Sequence, residues 1–200
     1  MKNKFLDFTI KIIKENTDYN DIKLKEIRYG LESLYLSLTK IVVIFIISII
    51  LGIFKELLLL FIFYGLLRMT GFGLHAKTSL QCWILSIMVF ISIPLVIKYF
   101  SFPRIVLIGL SLLLVIPILI YAPADTEKRP LINKKKRTIL KYATTLTSLV
   151  YIVLMIILNN DYLTKMLFFS ILIETILILP ITYKLLNVKY NNYLLYRERR

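Results

Sequence analysis

The chain has 200 residues, of which 58% are hydrophobic and 13% aromatic, and its mean hydropathy is +0.75. Soluble domains usually contain about 45–50% apolar residues, so one core of this size cannot bury the excess. The composition excludes a disordered chain and an ordinary soluble domain, and it predicts a membrane protein. The net charge is +14, but the cations lie along loop boundaries, which argues against nucleic-acid binding. A single cysteine excludes an internal disulfide.

Residues 1–35 place apolar side chains between lysines with a helical period, as at Phe5, Phe8, Ile12 and Ile13. This pattern is typical of an amphipathic helix on an anionic membrane surface. It fits a solvated cytoplasmic helix equally well. The seven cations and the missing apolar core argue against a signal peptide.

Six apolar stretches follow, each bounded by charge or by Pro and Gly. They are Leu36–Phe54, Leu57–Leu67, Leu80–Ile97, Ile105–Tyr121, Tyr142–Leu158 and Met166–Ile181. A membrane-crossing helix needs about 20 residues, with about 17 as a minimum, so the second stretch is too short unless it continues through Arg68. We therefore predict an all-α, polytopic membrane bundle forming one domain over residues 1–200. It has about six membrane segments, or four full spans with two short or re-entrant ones.

The distribution of cations predicts the orientation. With six crossings, one side of the membrane holds 21 cations, in residues 1–35, in the Arg68–Lys77 turn, in the loop 121–141 and in the tail from Lys184. The opposite loops hold four. Cytoplasmic loops carry the excess of Lys and Arg, so both termini are predicted to be cytoplasmic.

The segment from Arg68 to Cys82 contains the only histidine and the only cysteine, His75 and Cys82. A thiol with a neighbouring imidazole base is a common arrangement for acyl transfer. On one straight helix seven residues span about 10.5 Å, whereas a hydrogen bond requires about 3 Å. A catalytic dyad therefore requires the backbone to turn between the two residues.

The sequence contains the residues for such a turn. Gly71 and Gly73 permit positive φ, and Thr78 followed by Gln81 has the spacing of a capping box, which predicts a helix start before Cys82. The first turn of a helix favours a thiolate, and Lys77 adds positive potential. Arg68 is a candidate to bind a carboxylate or an oxyanion. The alternative is structural: a lone membrane cysteine is often a small packing residue, and a lone interfacial histidine is often only hydrogen-bonded.

A second unusual segment runs from Tyr121 to Arg137, and we predict a basic cytoplasmic loop over 122–141. Its cations anchor the loop on the cytoplasmic side, but this does not account for the Tyr121-Ala-Pro and Arg129-Pro-Leu-Ile sequences that frame it.

Together these residues resemble the accessory gene regulator B (AgrB) family of Gram-positive membrane cysteine endopeptidases that act in quorum sensing. The resemblance rests on the spacing of Arg68, Gly73, His75 and Cys82 and on features of the second segment. Those features are Tyr121-Ala-Pro, Thr126, Arg129-Pro130 and Lys134–Arg137. One departure is Phe72, which stands between the two glycines where a small residue is expected.

The resemblance implies an activity at the cytoplasmic face of the bacterial cell membrane, with no metal or cofactor. His75 takes the proton of Cys82, which attacks a short propeptide of the AgrD type and forms a thioester. The peptide's own thiol then closes a thiolactone and releases the autoinducing peptide. Basic residues are candidates to bind the acidic tail of the propeptide: Lys77, Arg129, Lys134, Lys135, Lys136 and Arg137. A homodimer is compatible with a small bundle of short spans.

The sequence leaves open the roles of three carboxylates and one alternative function. Glu174 lies in the middle of the last stretch, where a structural role is favoured over orienting His75. Asp125 and Glu127 lie at a better height to reach the histidine. A small transporter or peptide exporter is the alternative function, because Pro94, Pro117 and Pro180 interrupt helices.

Overall fold

The computed structural model describes residues 2–76, 78–126 and 130–194. Over these residues the secondary structure is helical, and an isolated parallel β-bridge joins Phe72 to Ala124. The α-helices are α1 (Lys2–Asn16), α2 (Asp21–Ile50), α3 (Phe54–Gly71), α4 (Ser79–Ile87), α5 (Ile93–Tyr99), α6 (Arg104–Tyr121), α7 (Lys134–Ile157), α8 (Asp161–Ile178) and α9 (Pro180–Leu185). The all-α prediction is confirmed.

An N-terminal compact unit extends to Ile47 and contains α1 and most of α2. Within it α1 packs back on α2: Lys2 pairs with Glu32 at 2.5 Å and Arg28 with Asp7 at 2.7 Å. The predicted amphipathic segment 1–35 is therefore α1 together with the first half of α2, which continues into the first apolar stretch without a break.

The second unit begins at Ser48 and is built around α8. This helix packs against α3, α6 and α7, and eleven of its eighteen residues are buried. The apolar core contains the side chains that these four helices turn towards one another. Five residues from other elements join it: Leu74, Ile97, Ala122, Ala124 and Tyr183.

Four helices of the described residues are long and apolar enough to cross a membrane: Asp21–Ile50, Ser79–Tyr99, Arg104–Tyr121 and Lys134–Ile157. The two remaining stretches are α3 and α8, which have 18 residues each and are therefore about 27 Å long. Each contains three charged residues, and in both helices much of the surface packs against protein. The second stretch does continue through Arg68, as its length requires.

The helix that carries Cys82 runs from Ser79 to Tyr99 through a π-helical turn at Met88–Ser92. Pro94 has no N–H to donate and crowds the preceding turn, which explains the wider turn before it. Phe90 in this turn stacks on Phe61 of α3, with ring centroids 4.4 Å apart. Because both residues are about equally far from the α3–α4 connection, the two helices form an antiparallel hairpin.

One boundary from the sequence is wrong. The basic loop was expected over 122–141, but α7 already begins at Lys134. Asn133 explains the early start, since its side chain accepts a hydrogen bond from the N–H of Lys136 at 3.2 Å and caps the helix.

Candidate active site

The connection between α3 and α4 is a backbone reversal. The α3 helix ends at Gly71, Phe72 and Gly73 have φ of 60° and 99°, and residues 72–76 are not helical. His75 lies exposed in this connection, and Cys82 lies half-buried in the first turn of α4. The two residues are thus not on one continuous helix.

The helix start before Cys82 is formed by the predicted capping box. The Thr78 hydroxyl accepts a hydrogen bond from the Gln81 N–H at 3.2 Å, and the Gln81 side chain accepts one from the Thr78 N–H at 3.5 Å. The Cys82 N–H donates to the Thr78 carbonyl at 3.1 Å, as the first full turn of the helix requires. Cys82 therefore lies in the first turn of α4, at the positive end of the helix dipole.

Arg68 organises the loop that leads to His75. Its guanidinium donates to the Phe72 carbonyl, to the Gly73 carbonyl at 3.1 Å and to the Leu74 carbonyl at 2.7 Å. These are consecutive carbonyls of the non-helical connection directly after α3, which ends at Gly71. The guanidinium that the sequence named as a candidate to bind a carboxylate or an oxyanion thus donates to three carbonyls of the chain's own backbone.

Glu174 of α8 lies beside this arginine. Its carboxylate is fully buried, and Oε2 is 4.0 Å from Nη1 of Arg68. A Cβ at Gly71 would meet Oε1 of Glu174 and would lie 3.1 Å from the Thr144 side chain. Gly71 is therefore required for close approach to α8, not for positive φ as expected. The turn places that conformation on Phe72 and Gly73.

The residue that follows Tyr121-Ala-Pro, Ala124, is bonded to the connection that carries His75. The segment after α6 runs beside the His75 loop: the Gly73 N–H donates to the Ala124 carbonyl at 2.8 Å, and the Ala124 N–H donates to the Gly71 carbonyl at 3.0 Å. On the other side the Leu74 N–H donates to the Leu177 carbonyl at 2.9 Å. The loop is therefore bonded on two sides by distant parts of the chain.

Asp125 continues this segment and is almost completely buried. Its carboxylate accepts hydrogen bonds from the N–H groups of Leu131, Asn192 and Tyr193. Tyr183 donates its hydroxyl to the Asp125 carbonyl at 3.2 Å. Burial raises the pKa of Tyr183 well above its usual range, so the hydroxyl keeps the proton that it donates.

The basic residues divide into three groups. Lys134, Lys135 and Lys136 are exposed in the first turn of α7. The guanidinium carbon of Arg137 lies 3.1 Å from the ring centroid of Tyr193, so this arginine is engaged by the C-terminal segment. Lys77 and Arg129, also named from the sequence, lie outside the described residues, as does the acidic Glu127.

Sequence reasoning missed two relationships of the site. It favoured a structural role for Glu174 but did not name Arg68 as its partner, although both are ionisable groups in largely apolar helices and therefore candidates to pair. It also gave no role to Tyr183, Asn192 and Tyr193, for which local sequence carries no signal. Within the described ranges, no group of three or more His, Cys, Asp or Glu side chains is arranged to hold a metal ion.

The fold and the site define a polytopic membrane protein whose only histidine and only cysteine lie at one helix-hairpin turn. The family model "Accessory gene regulator B" matches residues 7–178, and the chain belongs to this family.

Curated relatives agree with the family match. The accessory gene regulator protein B of Staphylococcus aureus is 34% identical over 180 residues, covering 90% of this chain and 94% of the relative. An AgrB-like protein of Clostridium acetobutylicum is 31% identical, covering 86% and 82%. One from Listeria monocytogenes is 29% identical, covering 84% and 82%. No solved structure gives a significant match.

Proposed function

We propose that this protein is a membrane cysteine endopeptidase that removes the C-terminal tail of an AgrD-like propeptide and promotes its cyclisation. Cys82 is the nucleophile and His75 the general base. The observation that carries the proposal is the reversal at Phe72–Gly73: it puts the imidazole on the loop and the thiol on the first turn of the next helix. Membership in the accessory gene regulator B family supports the same pathway.

Cleavage proceeds by acyl transfer. His75 accepts the thiol proton of Cys82, and the thiolate adds to the carbonyl carbon between the central part of the propeptide and its tail. The tetrahedral oxyanion collapses, the bond from carbon to nitrogen breaks, and His75 returns the proton to the departing amine of the tail. The central part of the peptide is then held as a thioester on Cys82.

Cyclisation is a second acyl transfer. The propeptide's own cysteine loses its proton to His75 and attacks the thioester, and Cys82 leaves and regains the proton. One thioester is exchanged for another, so the step is close to thermoneutral and requires no nucleotide. Water competes for the thioester, and a recessed position of Cys82, which is half-buried, limits this loss.

Recognition of an acidic tail is assigned to the first turn of α7. Lys134, Lys135 and Lys136 are exposed at the end of the helix where the dipole is already positive, and cations there cost about 0.3–1 kcal/mol each. An anionic partner removes this cost. The three lysines therefore lower the stability of the free protein, but they attract a negatively charged peptide electrostatically. Lys77 and Arg129 extend the same proposed surface by their sequence positions.

The orientation is part of the proposal. The cations at both ends of the chain and around the α6–α7 connection favour cytoplasmic termini and a site near the cytoplasmic face of the cell membrane. A propeptide made in the cytoplasm then reaches Cys82 without crossing the bilayer.

The test uses a propeptide tagged at its tail and co-expressed with each variant. Cys82→Ala and His75→Ala are expected to accumulate full-length propeptide in membranes, because one lacks the nucleophile and the other the base. Ser86→Ala is the matched control: it lies one turn further along α4, and its hydroxyl only donates to the Cys82 carbonyl. Maturation of the peptide by either of the first two variants, at normal membrane abundance, contradicts the proposed dyad.

A further inference from the structure

Asp125 is a buried carboxylate that the proposed reaction does not use. It is 2% exposed. Its Oδ1 accepts the Asn192 N–H at 2.9 Å, and its Oδ2 accepts the N–H groups of Tyr193 at 2.8 Å and Leu131 at 3.3 Å. Hydrogen bonds to an ionised acceptor are roughly twice as strong as neutral ones. These three hydrogen bonds therefore hold three backbone positions against the Asp125 side chain.

Two of the three donors belong to residues 188–194, which we call the C-terminal clasp. The clasp has two further attachments to the second unit. The ring of Tyr190 meets the buried ring of Tyr183 edge-on, with centroids 5.0 Å apart, and Tyr193 lies against the guanidinium of Arg137. The clasp is thus anchored at α9, at α7 and at Asp125.

The residue beside Asp125 is bonded to the loop that carries His75. Ala124 accepts the Gly73 N–H at 2.8 Å and donates to the Gly71 carbonyl at 3.0 Å. Gly73 is two residues before His75. A path of short covalent and hydrogen-bonded steps therefore connects the clasp to the imidazole, and both ends of it lie in the same compact unit.

We propose that Asp125 is a positioning residue of the peptidase site: by binding the C-terminal clasp, it fixes the segment that holds the His75 loop in place. The inference rests on the proposed function. Both carboxylate oxygens are directed at backbone N–H groups, so Asp125 acts through Ala124 and Gly73 and not on the reacting atoms. Loss of the carboxylate leaves buried N–H groups unsatisfied and releases the loop from one of its two lateral supports.

Two perturbations test the proposal in the full-length protein reconstituted in liposomes. Asp125→Asn keeps the size of the side chain but turns part of the acceptor into a donor. A stop codon after Lys189 removes Tyr190, Asn192 and Tyr193, and the matched control is a stop codon after Leu194. The control removes the same three terminal arginines but leaves those three residues in place.

The measured quantities are kcat and KM for a synthetic propeptide with a central cysteine and an acidic tail, and the alkylation rate of Cys82. Misplacement of a catalytic group by about 1 Å costs up to 100-fold, so we expect kcat to fall about 10- to 100-fold in Asp125→Asn with KM within about twofold. A similar loss of kcat is expected for the chain ending at Lys189, and normal kcat for the chain ending at Leu194.

The alkylation of Cys82 distinguishes a positioning role of Asp125 from a mere loss of folded protein. Cys82 is the only thiol, so iodoacetamide reports on it alone. A displaced imidazole no longer takes the proton of the Cys82 thiol, so the alkylation of Cys82 at a fixed pH is expected to be slower in Asp125→Asn than in the wild type. A fall in kcat with an unchanged alkylation rate overturns the positioning role, because the imidazole then still serves the thiol.

The Cys82→Ala variant distinguishes failure of the peptidase proposal from failure of the positioning role of Asp125. If this variant is inactive while Asp125→Asn and the chain ending at Lys189 retain wild-type kcat, the positioning role is wrong and the peptidase proposal stands. If Cys82→Ala itself processes the propeptide, the peptidase proposal fails and the positioning role fails with it.

Discussion

Replacement of Arg68 by lysine tests whether the loop that carries His75 is organised by a guanidinium. Arg68→Lys keeps the positive charge beside the buried carboxylate of Glu174, so the ion pair is changed little. It removes the planar fork that reaches the carbonyls of Phe72, Gly73 and Leu74. A lysine ammonium on a flexible stem replaces one of these bonds and leaves two carbonyls without a donor.

The expected magnitude follows from those two bonds. A hydrogen bond to a charged group contributes about 1.5–3 kcal/mol, and the lower end applies because the Arg68 side chain is 19% exposed. Two such bonds amount to about 3 kcal/mol, which corresponds to about a 100-fold change in the population of the ordered loop. Processing is therefore expected to slow by about 10- to 100-fold.

The assay compares initial rates of tail release from a synthetic propeptide in liposomes, at equal amounts of folded protein. Arg104→Lys is the matched control, because Arg104 donates a single hydrogen bond, to the Ile156 carbonyl at 3.3 Å, far from the turn along the chain. We expect it to retain the wild-type rate within about twofold. Equal rates for Arg68→Lys and the wild type would refute the role assigned to the guanidinium.

Three further predictions concern the turn, the cap and the basic run. Gly73→Ala is expected to abolish processing, because φ is 99° and the new Cβ would lie 3.0 Å from the Leu177 carbonyl oxygen; normal processing at normal abundance would contradict this. Thr78→Ala is expected to lower the stability of the α4 start by about 1 kcal/mol and to slow the processing of the propeptide, whereas Thr78→Ser restores both; an unchanged processing rate in Thr78→Ala would exclude a role for the cap. Changing Lys134–Lys136 to glutamine is expected to raise KM for an acidic-tailed propeptide by about 10-fold while thermal stability stays equal or rises, and an unchanged KM would remove the run from the recognition surface.

Features of the site that depend on neighbouring residues could be predicted from the sequence. The capping box at Thr78 and Gln81 is one, because both partners lie within one helical turn and their chemistry is specific. The requirement for a turn between His75 and Cys82 is another, since it follows from helix geometry alone. The extension of α3 through Arg68 was conditional on length, and the helix ends three residues later, at Gly71.

Features that join distant segments could not be predicted. The pairing of Gly73 with Ala124 and the bonds from Asp125 to Asn192 and Tyr193 are fixed by the packing of α3, α6 and α8, which periodicity does not encode. The positive φ of Phe72 could not be predicted either. A bulky residue rarely adopts this conformation, and the glycines on both sides of Phe72 are the residues expected to adopt it. The hydrogen bonds of Arg68 to consecutive carbonyls make this conformation tolerable.

The most direct test of the central claim is detection of the acyl-enzyme. A propeptide whose own cysteine is replaced by alanine cannot cyclise, so the thioester on Cys82 should accumulate after the tail is released. Mass spectrometry of the Cys82-containing fragment is predicted to show the added mass of the peptide without its tail, removable by hydroxylamine and absent from His75→Ala. Release of the tail with an unmodified Cys82 at every time point would contradict the account.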